Sequence, residues 1–126
     1  MKGLDVQPLE LRQDAGAPAK DNAEIAADMQ QQSEKAAAFL KALAHEGRLL
    51  ILCHLNTGEK SVTELERLLG QRQAAVSQQL ARLRMEGLVK SRRDGKAIHY
   101  SIGDPRAARM IALMYEIFCA DDPAVG

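Results

Sequence analysis

Aromatic residues are nearly missing from this chain: it has no tryptophan, and its two tyrosines and two phenylalanines make up 3% of the sequence. Holding single-stranded nucleic acid by stacking bases on rings needs more than that, so this mode is excluded. Cysteine is as scarce, and two in 126 residues are no disulfide framework for a small secreted domain. No stretch approaches 18 consecutive apolar residues, and residues 1–20 lack the apolar centre of a signal peptide. No membrane partner is expected, and the expected location is the cytoplasm. The three histidines, His45, His54 and His99, show no HxxxH spacing, and no CxxC is present. A transition-metal site needs three or four converging ligands, so neither metal nor cofactor is expected. An enzyme is not expected either, because no nucleophile, base and orienting group can be assembled. Cys53 and His54 are adjacent, and adjacent helical residues do not face each other.

Net charge is also absent, with 17 basic residues against 17 acidic ones, but the balance conceals a polarity. Residues 71–109 carry nine Arg/Lys against three acids, or +6, whereas residues 1–34 carry seven acids against three bases, or −4. A phosphate backbone meets the local stripe and not the mean, so a neutral chain remains compatible with nucleic acid.

The basic stretch is also the best organised. Residues 61–100 read as two short helices, a tight turn between them, and a basic two-stranded ribbon. Ser61 and Glu64 stand in the capping-box relation, which satisfies two orphan backbone donors at a helix start, and Gly70 ends that helix. The next helix places Val76, Leu80 and Leu83 on one narrow apolar stripe. Opposite it lie Ala74, Gln78, Ala81 and Met85, with Ser77 and Arg82 on the shoulders. Small residues let such a helix approach a groove closely, and Ser77 and Gln78 are short donor/acceptor groups able to read base edges. Arg72, Gln73, Gln79 and Arg82 complete the expected DNA-facing set on this helix, with the arginines gripping phosphate. Asp94-Gly95 is a hairpin signal between residues 88–93 and 96–102. Arg92, Arg93 and Lys96 gather at the tip, where they can reach the sugar-phosphate backbone of double-stranded DNA. This pattern predicts a mainly helical fold with a small hairpin wing, a winged helix-turn-helix.

Around that centre the chain divides simply. Residues 1–21 mix Gly, Pro and charge without period and are expected as a mobile tail. Residues 22–121 form the DNA-binding and dimerisation domain, and residues 122–126 a short C-terminal tail. A long first helix starts at Asn22, taken as its N-cap, and continues for about twenty residues. A second, over about residues 46–55, is apolar on nearly every side and is expected to be largely buried. Asp104 followed by Pro105 starts the last helix, which runs to about Ala120 and has more apolar surface than one domain needs. At 46% apolar, the chain supports one core, and a second copy would help cover its faces.

The text LKALAHEGRLLIL at residues 40–52 and AAVSQQLARLRMEGLVKSRRDGKAIHYSI at residues 74–102 resembles the ArsR/SmtB family of winged-helix repressors. Its usual pattern is LKALAxxxRLxIL, then SAVSQHLxxLxxAGLVxxRRxGRxxxYxL. Departures are Gln79 where histidine is common, Arg72 and Ala74 where serines are common, and His45-Glu46-Gly47 where Asp-Pro-Thr is common. The resemblance implies a homodimer built through the first and last helices, bound to a two-fold operator. Metal-sensing members carry cysteines on the third helix or Asp/His pairs on the last, and neither set is present.

Cys53 on the second helix and Cys119 at the end of the last resemble the sulfide- and persulfide-responsive, SqrR/BigR-type branch. That resemblance implies a redox-sensing pair whose effector is a reactive sulfur species. A thiolate takes a sulfane sulfur and the second thiol resolves the persulfide into a bridge, which releases DNA. A plain disulfide requires Cα atoms within about 7 Å, whereas a longer sulfur bridge spans more. Two alternatives stay open: a general thiol-oxidation switch, and a protein-interaction module on the same fold. Taken without the resemblance, the two thiols read as inert core residues, since free cysteine is often buried.

Overall fold

The computed structural model describes residues 19–120. The expected tail thus falls outside the described residues up to position 18, as do residues 121–126 with the C-terminal tail. The described residues form five helices and a small sheet: α1 (Asn22–Leu43), α2 (Glu46–Leu55), β1 (Lys60–Ser61), α3 (Val62–Leu69), α4 (Gln73–Met85), β2 (Val89–Asp94), β3 (Ala97–Ile102) and α5 (Pro105–Phe118). The expected winged helix-turn-helix, mainly α with a hairpin wing, is present. Two compact units divide it, Met1–Ala38 and Phe39–Gly126.

In the first unit α1 starts one residue earlier in its capping than expected. Asp21, and not Asn22, is the cap: its carboxylate accepts from the Glu24 N–H at 2.8 Å, and its carbonyl accepts from the Ile25 N–H. Asn22 is the first helical residue.

The second unit contains the core. Ala42 and Leu43 from the end of α1, Ile51, Leu52 and Leu55 from α2, Leu65 from α3, Val76, Leu80 and Leu83 from α4, Leu88 and Val89 at the wing, and Ala107 and Ile111 from α5 form one buried cluster. Seven large side chains in it are fully enclosed, each contributing about 1.5–3 kcal/mol from burial. The stripe of α4 is buried as its period requires, with Val76, Leu80 and Leu83 all at 0% exposure. α2 departs from expectation. Only Gly47, Ile51, Leu52 and Leu55 are buried, while Leu50 and Cys53 are exposed. Apolar composition all round a helix marks surface that can be covered, and this unit covers one side only.

α3 begins with the full capping box, Ser61 Oγ accepting from Glu64 N–H at 3.1 Å and Glu64 Oε1 from Ser61 N–H at 3.0 Å. It ends on Gly70 at φ 64°, the left-handed cap that glycine adopts without a Cβ penalty. Asp104 caps α5, accepting from the Arg106 N–H at 2.9 Å, and Pro105 follows as expected. Arg106 also lies over the Phe39 ring, 5.5 Å from its centre.

The sheet order is β1-β3-β2, all antiparallel. Asp94 pairs with Ala97, so the turn is centred on Gly95-Lys96, one residue later than Asp94-Gly95. Positive φ falls on Gly95 alone, at 63°, which is the II′ pattern and not the Asp-Gly I′ turn. β1 is a strand that residue patterns do not announce, because two residues have no period. Among the described residues no helix is long and apolar enough to cross a membrane.

Candidate nucleic-acid interface and thiol pair

α3 and α4 pack on each other across the turn that Gly70 permits, and the wing folds back beside α4. With Val76, Leu80 and Leu83 turned into the core, the opposite side of α4 faces outward. Ala74, Ser77, Gln78, Ala81, Arg82 and Met85 are exposed, as are Arg72 and Gln73 at the helix start. Arg72 occupies the N-cap position without a side-chain cap hydrogen bond, leaving its guanidinium uncommitted to the helix. Arg82 pairs along the helix with Glu86 at 3.3 Å, an exposed i,i+4 contact of small worth that a phosphate can replace. Gln79 differs from the rest of the expected set: it is half-buried and turned toward α2, where Arg48 donates to its Oε1 at 3.4 Å.

A cleft opens between the starts of α3 and α4 and the wing, lined by Ser61, Val62, Thr63, Gln73, Lys96, Ala97 and Ile98. The strand register separates the wing's arginines. Arg93 lies opposite Ile98, on the sheet face that carries Tyr100 and Ile102 to the core, while Arg92 lies opposite His99 on the other face. Arg93 and Lys96 are exposed. Arg92 is instead engaged by Glu59, donating through Nε at 2.9 and 3.1 Å and through Nη2 at 2.7 Å. That fork holds the Glu59 carboxyl below its usual range and raises the arginine further. Glu59, 33 residues from Arg92, has no local signal in the sequence. His45 likewise carries no usual cap signal, yet its Nδ1 accepts from the Gly47 N–H at 3.1 Å at the start of α2.

The two thiols come from helices that pack together, α2 and α5. Cys53 is exposed, so it is not the core residue that its surroundings in sequence suggest, and Cys119 is half-buried. Partial burial pushes the Cys53 thiol up from its ordinary value, and the Cys119 thiol is near enough that its charge opposes ionisation of Cys53 as well. Cys119 ends α5 with φ −121° and ψ −44°, its N–H donating to the Tyr115 carbonyl at 2.8 Å. It therefore stands at the last helical hydrogen bond, where displacement costs little helix. The same elements expose the large apolar side chains of Leu50, Tyr115, Ile117 and Phe118.

A helix pair whose second member turns a small, polar face outward, flanked by a basic hairpin, defines a DNA-binding winged helix-turn-helix regulator. The chain belongs to the arsR family of bacterial regulatory proteins, whose profile matches residues 45–91. The biofilm growth-associated repressor of Agrobacterium fabrum is 46% identical over 94 residues, covering 75% of this chain and 80% of the relative. The crystal structure of the transcriptional repressor BigR from Xylella fastidiosa matches with a TM-score of 0.71 at 42% identity, over 75% of this chain and 96% of that one. Reduced HlyU from Vibrio cholerae N16961 matches with a TM-score of 0.69 at 41% identity, over 73% and 97%. The family read from residues 39–102 is thus borne out, and the protein is a transcriptional regulator and not an enzyme.

Proposed function

We propose that the protein is a homodimeric repressor that holds a two-fold operator while Cys53 and Cys119 are reduced and releases it when a reactive sulfur species bridges them. The observation that carries this reading is the pairing of the thiols on two packed helices, with Cys119 near enough to oppose ionisation of Cys53 and Cys53 open to solvent. Repression is the function stated for the A. fabrum relative and the X. fastidiosa structure. Arg72 at the N-cap of α4, Gln73, Ser77, Gln78 and Arg82 within it, and Arg93 and Lys96 of the wing supply the DNA contacts.

The chemistry balances without a metal or a separate oxidant. Each cysteine thiolate attacks the outer sulfur of a low-molecular-weight persulfide, forming a protein persulfide and expelling the donor's thiolate. The terminal sulfur of one protein persulfide then attacks the Sγ of the other. The S–S bond of the second persulfide breaks, hydrosulfide leaves, and a trisulfide joins α2 to α5. α2 lies in the core beside α4, so the bridge alters the seat of the DNA-reading helices, and half-sites about 34 Å apart tolerate little error.

Intact-mass measurement tests the bridge. Persulfide treatment is expected to add one sulfur and remove two hydrogens, with parallel loss of operator binding. Cys53→Ser and Cys119→Ser are each expected to bind DNA when reduced and to keep it after treatment. A loss of two hydrogens alone means a disulfide and favours the general-oxidation reading. Normal release by both single variants removes the thiols from the mechanism.

A further inference from the structure

Arg48, in the first turn of α2, binds three ways. Its Nε donates to the Ala42 carbonyl at 2.7 Å and its Nη2 to the Lys41 carbonyl at 3.4 Å, while Nη1 donates to Gln79 Oε1 at 3.4 Å. Both carbonyls belong to the last turn of α1, where acceptors run out of i+4 helical donors, although the Lys41 carbonyl also accepts from the Ala44 N–H at 3.3 Å. A guanidinium there satisfies them and places positive charge at the negative end of the helix dipole. The third arm lands on α4. One side chain thus ties the end of α1, the start of α2 and the helix that faces DNA.

The packing around Gln79 is close. A Cβ added to Gly47 would crowd the His45 ring at 3.2 Å and reach ordinary contact with Gln79 Cγ at 3.7 Å, so the first turn of α2 lies within a side chain's reach of α4. Gln79 Nε2 lies 3.5 Å from His45 Nε2. Nδ1 of His45 accepts from Gly47, so the neutral ring carries its proton on Nε2. Both atoms at the His45–Gln79 contact are then donors, and that contact is packing and not a bond. Arg48 is left as the group that orients the amide.

We infer that Arg48 and Gln79 are a positioning pair: Gln79 acts on operator affinity through Arg48, by seating α4 against the α1–α2 corner, and not by touching DNA. This removes Gln79 from the DNA-facing set that the sequence suggests. It rests on the reading that α4 enters the groove, but not on the thiol switch.

The test measures operator affinity of the reduced, full-length protein for Arg48→Met, Gln79→Glu and the double variant, with thermal unfolding alongside. Gln79→Glu alone is expected to keep affinity within about threefold, because the carboxylate makes a charge-assisted bond to Arg48. Arg48→Met is expected to weaken binding by about tenfold, and adding Gln79→Glu to it by a further tenfold or so, since coupled neighbours are not additive. Residues that only hold the fold together would move affinity and unfolding temperature in step, and here the Gln79→Glu penalty must appear in affinity and only without Arg48. Should Arg48→Met not fold, Arg48→Lys, which keeps a cation at the end of α1 but has one donor centre, takes its place. A loss beyond tenfold for Gln79→Glu with Arg48 intact shows Gln79 facing phosphate and overturns the pair, as does an additive cycle. Gln78→Ala serves as a control: unchanged sequence preference in that variant overturns the reading of α4, and this inference with it.

Discussion

α4 and α5 are nearly equal in length, 13 and 14 residues, and they meet water in opposite ways. α4 buries three apolar residues and otherwise shows small, polar and basic side chains, its one large exposed apolar group being Met85 at the last position. α5 buries Ala107 and Ile111 and leaves Tyr115, Ile117 and Phe118 at 57%, 49% and 68% exposure. A polar face is at rest in water and can exchange its hydration for a groove. An apolar face of that size is not at rest, and it is satisfied only by another apolar surface. On our reading the first face takes DNA and the second takes another copy of the chain, and each can be spoiled separately.

The largest effect is expected from the second face. Ile117→Glu places a charge on surface that is exposed in one chain but covered in the dimer, where an unpaired buried charge costs about 3–5 kcal/mol. Sedimentation should show a folded monomer, and operator binding should fall by orders of magnitude, because one chain cannot span two half-sites. A dimer that survives this substitution places the interface elsewhere.

The DNA face should yield smaller and qualitatively distinct losses. Gln78→Ala is expected to remove about 1–3 kcal/mol of discrimination at one base position of each half-site. Arg93→Gln should weaken all sequences alike and make the salt dependence shallower by about one unit per subunit. Arg92 sharpens the comparison, since its guanidinium already holds the Glu59 carboxylate on the opposite face of the wing. A salt slope measured on Arg92→Gln that changes as much as that of Arg93→Gln would show both faces of the wing on phosphate.

These contrasts also mark how much of the molecule its residues disclose. Elements set by local chemistry were legible: the capping box at Ser61, the stop at Gly70, the stripe of Val76, Leu80 and Leu83, and the Asp104-Pro105 start. Each depends on groups within one or two turns. The Asp94-Gly95 signal sets the hairpin one residue early, because Asp-Gly and Gly-Lys both supply a glycine with positive φ and only the strand pairing decides between them. The hidden parts join distant positions. Arg92 meets Glu59 and Arg48 meets Gln79 across more than thirty residues. The exposure of Cys53 was equally out of reach, since a helix apolar on every side does not reveal which side its own unit covers.

The smallest expected effect concerns Cys53 itself, and it has a definite sign. Burial is the larger cause of its raised pKa and the charge of Cys119 the smaller. Folding therefore favours the neutral thiol: the stabilisation is complete below the ordinary thiol range and is lost as pH rises through the raised value. The pH profile of Cys53 alkylation, followed by mass spectrometry on reduced protein, should have its midpoint above that of a cysteine in an unstructured peptide. In Cys119→Ser the midpoint should move back toward the peptide value without reaching it, because the like charge is gone and the burial remains. A dimer that covers Leu50 and the end of α5 would only raise the midpoint further. A midpoint below the peptide value would mean that a cation or helix end stabilises the Cys53 thiolate.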